Sequence, residues 1–468
     1  MKKMLPLALA VFVAPLLTAA EHKPLPKDLP PFGEDKPLPV PAITQSKLPN
    51  GLTVWVVKRA GYPRVVVKLA VRGGSASDPK DAPGISDLLA DTLKEGTATR
   101  TSRQIAEELQ SVGAEIGADE SSDAIYVTGT GLGSGAPKIL EIVADIALHP
   151  AFPAAEVELA KGNALEGLKA QESTPGYLAQ KALAQAIYGD HPYRVIGATK
   201  ETLQAATVEQ LKKEHARRFR PEGALLVVVG DVNTAAVTAA VNKFFGTWKA
   251  TGEALAATPP SPAATARRLL VVNRPGSVQS QILLGRPVAT VTDPAYYPLL
   301  VANTICAGSF GSRLTENIRE DKGYTYSPGG GVQARAQGGL LTVRADVRTE
   351  VTAASLMEIF YELDRMGATA PTTEELSRAK RYQGGLYLLR NQIQNSVAQT
   401  LASNWVNGLP PEALGEFVTK VNAVTADQVR EAGRTFYPSA LQTVVVVGDE
   451  PKVKAELAQF GTADTVKP

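Results

Sequence analysis

Two runs of sequence, Leu225-Leu-Val-Val-Val-Gly-Asp231 and Thr443-Val-Val-Val-Val-Gly-Asp449, decide the fold of this chain. Each is a series of apolar, mostly β-branched residues that ends in a Gly-Asp turn pair, which predicts a strand buried on both faces. Their offset is 218 residues, and three further pairs recur at nearly the same offset: Thr207-Val-Glu-Gln-Leu211 with Thr425-Ala-Asp-Gln-Val429, Phe219-Arg-Pro221 with Phe436-Tyr-Pro438, and residues 155–161 with residues 374–380. A repeat that stays in register over so much of the chain predicts two copies of one domain.

Within each copy, strands come first, helices follow, and a strand closes the unit. In the first copy the pattern predicts strands at residues 52–57, 65–71 and 125–129, helices at residues 85–94 and 102–112, and two helices within residues 154–186 that are separated by a turn at 173–176. This order predicts an α+β protein with two homologous domains, each a mixed β-sheet with helices packed on one face.

The repeat and the composition of its flanks divide the chain into five segments. We predict a signal peptide at residues 1–20, a Pro-rich arm at 21–45, a first domain at 46–250, a linker rich in Ala, Thr and Pro at 251–266, and a second domain at 267–468.

The N-terminus has the pattern of an export signal. Lys2 and Lys3 precede an apolar run over residues 5–17, and small residues follow up to Ala20. The run is shorter than the roughly 20 residues that a spanning helix needs, and no later segment is longer, so no stable membrane span is expected. We predict cleavage near Ala20 and a periplasmic or secreted protein.

The charge balance and the cysteine and histidine content argue against nucleic-acid binding, an internal disulfide and an ordinary zinc site. The 49 Lys and Arg residues nearly balance the 47 Asp and Glu residues, without a block of like charge, which argues against a nucleic-acid binder. Cys306 is the single cysteine, so no internal disulfide can form. The four histidines lack the spacing of zinc ligands: His22, His149, His191 and His215.

Motifs in both copies resemble a known enzyme family. In the first copy they are Pro49-Asn-Gly-Leu52, the segments 84–97 and 113–126, His191-Pro-Tyr193 and Val229-Gly-Asp-Val232; in the second, Arg274-Pro-Gly276, Gly311-Ser-Arg-Leu314 and Ile318-Arg-Glu-Asp-Lys-Gly-Tyr-Thr-Tyr326. From about residue 45 to its end, the chain resembles the pitrilysin/insulinase-type metallopeptidases. The resemblance implies two homologous halves that close around a peptide. In mitochondrial processing peptidase and in paired bacterial members, two such chains build one active unit.

The family's zinc motif is lost. Members carry His-x-x-Glu-His on a helix, where the two His bind zinc and the Glu activates water. The matching positions here are Asp87, Ala90 and Asp91, and the downstream Glu ligand falls at Gly167, beside Glu166. The two aspartates share a helix face and would suit Mg²⁺, Ca²⁺ or Mn²⁺, or they are solvated residues of a vestigial cleft. Ala90 leaves no base to activate water, so the resemblance implies no catalytic residue and no cofactor in this chain.

The family's substrate-binding pair is kept. Members hold the peptide carbonyl with an Arg and a Tyr seven residues apart, and these positions are Arg319 and Tyr326. The alternatives are a solvated charge at a helix end and a core tyrosine. Arg313 and Arg335 are expected to matter much less. Two glycine-rich segments, residues 308–311 and 329–331, lack the order and ending of a phosphate-binding loop, and we predict loops near the same cleft.

The loss of the zinc ligands and the retention of Arg319 and Tyr326 suggest that zinc catalysis and peptide binding are divided between two chains. Our hypothesis is a substrate-binding, non-catalytic subunit of an exported heteromeric zinc peptidase, whose homologous partner carries the zinc and with which it forms a heterodimer. One alternative is a purely structural subunit, as in the core proteins of the respiratory bc₁ complex, which share the fold. Another is a self-sufficient metallopeptidase with atypical ligands.

Overall fold

The computed structural model describes residues 42–467. The predicted signal peptide and residues 21–41 of the predicted arm therefore lie outside the described residues. Residues 43–45, which the composition placed in the arm, instead belong to the first strand of a sheet, where Ile43 is paired with Val57. Residues 251–266, the predicted linker, contain no helix or strand.

The first half builds a mixed sheet of six strands. They are β1 (Ile43–Lys47), β2 (Thr53–Lys58), β3 (Arg64–Arg72), β4 (Glu115–Glu120), β5 (Ala124–Leu132) and β6 (Ala224–Gly230). Their order in the sheet is β1-β2-β6-β3-β5-β4, and only β2 and β6 run parallel. Every residue of β6 is buried, which explains its uninterrupted apolar sequence.

Most helices of the first half cover one face of this sheet. The helices are α1 (Ile85–Thr92), α2 (Ser102–Gln110), α3 (Ala136–Leu148), α4 (Ala154–Glu172), α5 (Pro175–Tyr188), α6 (Lys200–Ala205), α7 (Val208–Arg218) and α8 (Thr234–Phe245). All but α5 contribute fully buried or nearly buried side chains to one core with the strands, as Ile139 of α3 and Leu211 of α7 illustrate.

The second half repeats the strand order. Its strands are β7 (Arg268–Asn273), β8 (Gln279–Val288), β9 (Gly329–Gln333), β10 (Gly339–Arg348), β11 (Thr443–Gly448) and β12 (Ala463–Val466), in the order β12-β7-β11-β8-β10-β9. The outer strand differs: β1 precedes β2 and pairs with it antiparallel, whereas β12 comes from the end of the chain and pairs with β7 in parallel. Because β9 includes residues 329–331, the loop predicted there is wrong.

Eight helices accompany the second sheet within the described residues. They are α9 (Tyr296–Asn303), α10 (Arg313–Thr315), α11 (Thr352–Ala368), α12 (Thr373–Arg390), α13 (Gln394–Val406), α14 (Ala413–Ala423), α15 (Ala426–Phe436) and α16 (Glu450–Leu457). Two of them continue as π-helical turns, α9 into Thr304–Gly308 and α10 into Glu316–Asp321. Such wide turns are rare and recur at functional sites.

Each half also covers the free face of the other half's sheet. Val227 of β6 shares a buried cluster with Leu401 of α13, and Val445 of β11 shares one with Leu183 of α5. The predicted class, two mixed sheets with helices, is confirmed, and this exchange of helices adds a second covered face to each sheet. It also brings α5 next to the β9 edge of the second sheet. None of the helices within residues 42–467 combines the length and apolar character that crossing a bilayer requires.

Candidate functional site

Helix α1 carries the positions of the degenerate zinc motif. It begins after Gly84, which has φ +80° and no room for a side chain, since a Cβ there would lie 2.1 Å from the Cα of Ala198. The Gly84 N–H donates to Oδ2 of Asp78 at 2.7 Å, and Arg218 pairs with the other oxygen of Asp78 at 2.7 Å. These buried contacts fix the start of the helix at the place the family resemblance implies.

On this helix Asp87 and Asp91 are exposed one turn apart, whereas Ala90 between them is only 1% exposed. Although Asp87 keeps contact with solvent, its pKa is raised, first by partial desolvation of the carboxylate and then by the negative charge of Asp91. Burial also raises the pKa of Glu120, on the adjacent strand β4, to about 7, with repulsion from Asp87 as the next cause. The site therefore disfavours negative charge.

These residues do not fit the zinc ion that the family implies. Gly167 lies exposed on α4 without a side chain to offer, and Ala90 has neither a ligand atom nor a base. Within residues 42–467, no group of three or more His, Cys, Asp and Glu side chains is arranged to hold a metal ion. A tetrahedral zinc site with an open position needs three protein ligands, and the four aligned positions supply two carboxylates at most.

His191, another residue weighed from the sequence, closes a turn. Its Nδ1 accepts the N–H of Tyr193 at 3.1 Å, and its Nε2 lies 2.9 Å from the carbonyl oxygen of Pro259. Both ring nitrogens are therefore engaged with the backbone.

The second half brings the predicted pair together. Arg319 lies on the π-helical turn after α10, and its guanidinium carbon is 5.0 Å from the centre of the Tyr326 ring and 4.4 Å from that of Phe310. Tyr326 is 81% exposed and Phe310 71% exposed. Thr325 anchors this segment to β10, because its hydroxyl donates to the carbonyl of Asp346 at 2.7 Å. Tyr326 is thus not a core residue, and Arg319 is stacked rather than freely solvated.

These two residues line a cavity of about 770 Å³ between α5 and the β9–β10 edge of the second sheet. We call it the α5–β9 cavity. One wall comes from the first half: Gln180, Leu183, Ala184, Ile187, Tyr188 and Ile196. The floor is glycine-rich strand β9, whose outer edge pairs with no other strand of the described chain. A free strand edge next to an apolar recess is the arrangement that binds extended peptides by strand addition.

Three residues of this cavity were not foreseen as functional. Phe310 lies in the predicted glycine-rich loop, Arg344 is one of many arginines, and Arg335 was expected to matter little, yet all three line the α5–β9 cavity. Arg344 could have been recognised from the sequence pattern. It alternates with buried residues along β10 and therefore faces away from the core of its half. The position of Arg335 depends on contacts with Tyr188 and Tyr193 of the other half, which local sequence cannot reveal.

Two family models match this chain. The one described as "Insulinase (Peptidase family M16)" matches residues 53–197, and the one described as "Peptidase M16 inactive domain" matches residues 205–382. YmxG of Bacillus subtilis (strain 168), named an uncharacterized zinc protease, is 25% identical over 409 residues, which are 86% of this chain and 98% of YmxG. An uncharacterized zinc protease of Mycobacterium leprae (strain TN) is 26% identical over 392 residues, 83% of this chain and 87% of that protein.

Solved structures share the fold. A peptidase M16 inactive domain from Pseudomonas fluorescens superposes with a TM-score of 0.80 at 25% identity and covers 87% of this chain and 98% of its own. A protease from Helicobacter pylori superposes with a TM-score of 0.81 at 19% identity, covering 87% of this chain and all of its own. The likeness extends over both halves of the chain described here.

Proposed function

Because the chain belongs to peptidase family M16, the insulinase and pitrilysin-like family, we propose that it is a substrate-binding, non-catalytic subunit of an exported heteromeric zinc peptidase. In this proposal a homologous partner holds the zinc and cleaves the peptide, and this chain positions the peptide.

The residues at the motif positions support the absence of zinc chemistry in this chain. Zinc hydrolysis needs ligands that leave one coordination position open and a base that takes a proton from the bound water. Asp87 and Asp91 provide oxygen atoms, but Ala90 is buried and cannot act as a base. The zinc protease names of the relatives describe those proteins, and at 25 to 26% identity they leave room for loss of the motif here.

One observation carries the peptide-binding role: Arg319 and Tyr326 meet at the mouth of the α5–β9 cavity. The guanidinium forms one ion pair within the described residues, from Nε to the exposed Glu320 at 3.3 Å, so its other N–H groups remain free for a ligand. The exposed Tyr326 hydroxyl is a second donor. Two donors beside a free strand edge suit a peptide carbonyl, which they would orient and polarise.

The proposed partner follows from the separation of peptide binding and zinc chemistry between two chains. A chain that binds peptide without a base contributes to hydrolysis only if another chain supplies the zinc site. The match to a model described as an inactive M16 domain agrees with such a role, and the predicted signal peptide supports a location of the pair outside the cytoplasm.

Affinity purification of the chain from its native host, followed by mass spectrometry and zinc analysis, tests this proposal. We expect a homologous chain with an intact His-x-x-Glu-His motif to co-purify with about one zinc per pair and with peptidase activity. Co-purification with a large complex that lacks any such chain favours the structural subunit. Activity and zinc in the isolated chain favour the self-sufficient peptidase.

A further inference from the structure

The charged residues that line the α5–β9 cavity all have the same sign. They are Arg319, Arg335 and Arg344, and no Asp or Glu lines this cavity within the described residues. The closest acidic residues along the same elements, Glu320 and Asp346, line a neighbouring recess instead. Glu320 nevertheless pairs with Arg319 at 3.3 Å, so Arg335 and Arg344 are the lining charges that form no ion pair within residues 42–467. Positive charges between low-dielectric walls attract anionic ligands.

Arg344 is free to bind. It is exposed on β10, and within residues 42–467 its guanidinium forms no ion pair and no hydrogen bond. It lies above the glycine floor, since a Cβ on Gly329 would be 3.9 Å from its Nε and a Cβ on Gly331 would meet nothing within 4 Å. A ligand strand added to β9 would therefore pass close to this charge.

Arg335 is buried without a carboxylate. It is 7% exposed, its Nη2 donates to Oε1 of Gln333 at 3.2 Å, and its Nε and Nη1 have no hydrogen-bond partner among residues 42–467. The guanidinium carbon lies 5.3 Å from the ring centre of Tyr188 and 4.8 Å from that of Tyr193. The Tyr188 hydroxyl is also buried, with no hydrogen-bond partner in the described part of the chain. A buried charge with unused donors is costly unless a ligand completes it.

One candidate counter-ion, Asp123, already has other hydrogen-bond partners. Asp123 accepts the Tyr193 hydroxyl at 2.7 Å and the Ala336 N–H at 3.0 Å, and it forms no ion pair with Arg335 within 4.0 Å in the described chain. The negative charge of Asp123 therefore compensates the positive charge of Arg335 only through a long-range interaction.

We propose that the α5–β9 cavity selects peptides that present a carboxylate, with Arg335 and Arg344 as the specificity-determining residues. The inference rests on the proposed peptide-binding function and names its substrate class. The peptide lies extended along β9, its carboxylate meets the guanidinium groups of Arg335 and Arg344, and a neighbouring apolar side chain contacts the exposed rings of Phe310 and Tyr382. The carboxylate comes from an acidic side chain or from the peptide's C-terminus, since both offer the same two oxygens to a guanidinium.

Fluorescence anisotropy with matched peptides on the purified chain tests this inference. Three labelled peptides with blocked ends differ only at one central residue, which is Glu, Gln or Lys, and a fourth is the Gln peptide with a free C-terminal carboxylate. We expect the Glu peptide or the free-carboxylate peptide to bind about tenfold more tightly than the blocked Gln peptide, as a charge-assisted hydrogen bond predicts. Which of the two gains affinity identifies the source of the carboxylate.

Variants assign the effect to residues. Arg344→Gln replaces an exposed, unpaired side chain, so folding should be kept, and the tenfold preference should fall to about twofold or less. Arg344→Glu should favour the Lys peptide. Arg335→Gln should also reduce the preference, with thermal unfolding measured because the residue is buried. Arg103→Gln on α2, an exposed arginine that pairs with Glu107 alone among residues 42–467, is the control and should change nothing.

Three results would overturn the inference. If all four peptides bind equally and Arg319→Ala weakens all of them, the peptide-binding function stands and the carboxylate preference is wrong. Full preference in both Arg344→Gln and Arg335→Gln also removes it. If none of the peptides binds, the proposed function and the inference both fail.

Discussion

The guanidinium of Arg319 lies 5.0 Å from the centre of the Tyr326 ring, so two residues seven positions apart form one contact at the mouth of a cavity. Tyr326 is 81% exposed and adds little to the core, which means that the contact does not serve folding. It holds a cation and a phenol hydroxyl side by side, where both can donate hydrogen bonds to one peptide group.

Loss of either donor should slow peptide cleavage by the assembled pair. Arg319→Ala or Tyr326→Phe removes one hydrogen bond to the developing oxyanion, which costs on the order of 3 kcal/mol, about a hundredfold in rate. The loss of transition-state stabilisation in the double variant should be smaller than the sum of the two single losses, because both donors serve one oxygen. The measurement is the cleavage rate at saturating partner, with zinc quantified in the same samples.

Arg103→Ala is the control for this experiment, since in the described part of the chain its exposed side chain pairs with Glu107 of α2 alone. Arg335 cannot serve as a control because it lines the cavity, and Arg313 cannot because its nearly buried guanidinium pairs with Glu375 at 2.6 Å. Full activity in the double variant would favour the structural subunit over the substrate-binding one.

The purified chain should contain no stoichiometric zinc, and Asp87→His, Ala90→Glu and Asp91→His together should not create a peptidase. Gly167 leaves the site one ligand short, and a Glu at the buried position 90 also costs stability. The informative comparison is with the variant that also carries Gly167→Glu, because this substitution supplies the missing ligand and a Cβ at position 167 meets no atom within 4 Å. Metal analysis with a peptide assay checks both variants, and tight zinc with cleavage in the triple variant would contradict this prediction.

Substitutions at two glycines of β9 should have different effects, one on peptide binding and the other on stability. Gly331→Val adds a side chain where no atom lies within 4 Å of the Cβ, so the protein should fold normally and bind peptide at least about tenfold more weakly, because the branch fills the cavity floor. At Gly330 a Cβ would lie 2.8 Å from the Cβ of Ala307, so Gly330→Val should cost about 1–3 kcal/mol of stability. Thermal unfolding and peptide anisotropy on both variants make the test, and unchanged binding in Gly331→Val would exclude the cavity as the peptide site.

Glu120 should make the protein less stable as pH rises. Its folded pKa is raised from 4.5 to about 7, so between these values the unfolded chain releases a proton that the folded chain keeps. The stability contributed by the protonated form is present below about pH 4.5 and is lost as pH rises through 7. Glu120→Gln should match the wild type at pH 5 and exceed it by about 1 kcal/mol at pH 8, allowing for partial exposure.

Urea unfolding at both pH values measures this difference. Glu115→Gln, an exposed carboxylate at the other end of β4, is the matched control and should show no comparable gain. An equal effect of Glu120→Gln at pH 5 and pH 8 would show that its carboxyl group has an ordinary pKa.

The chain produced in its native host should lack residues 1–20. The basic start, apolar run and small residues before Glu21 have the pattern of a cleavable export signal, so intact mass should correspond to a chain that begins at Glu21. Cell fractionation should find it in the periplasm or the medium. An uncleaved Met1 on membrane-bound protein would contradict both statements.

Much of this architecture could be predicted because it depends on local patterns. The Val runs of β6 and β11 are buried on both faces and therefore needed uninterrupted apolar residues, and the 218-residue offset between them predicted two matching sheets. Strand β4 was missed because its exposed and half-buried residues carry no clear alternation. Strand β9 was missed because Gly329-Gly-Gly331 favours a turn by composition, and only pairing with β10 makes it a strand.

The sequence by itself determined the family, and it predicted the loss of zinc ligands and base at Asp87, Ala90, Asp91 and Gly167 and the retention of Arg319 and Tyr326, because these depend on residue identity at matching positions. Only the tertiary structure decided that Arg335 and Arg344 share one cavity with that pair. The cavity exists because α5 of the first half crosses onto the sheet of the second, so its walls join residues more than a hundred positions apart. Such contacts follow from how buried surfaces match between the halves, which no local pattern of residues encodes.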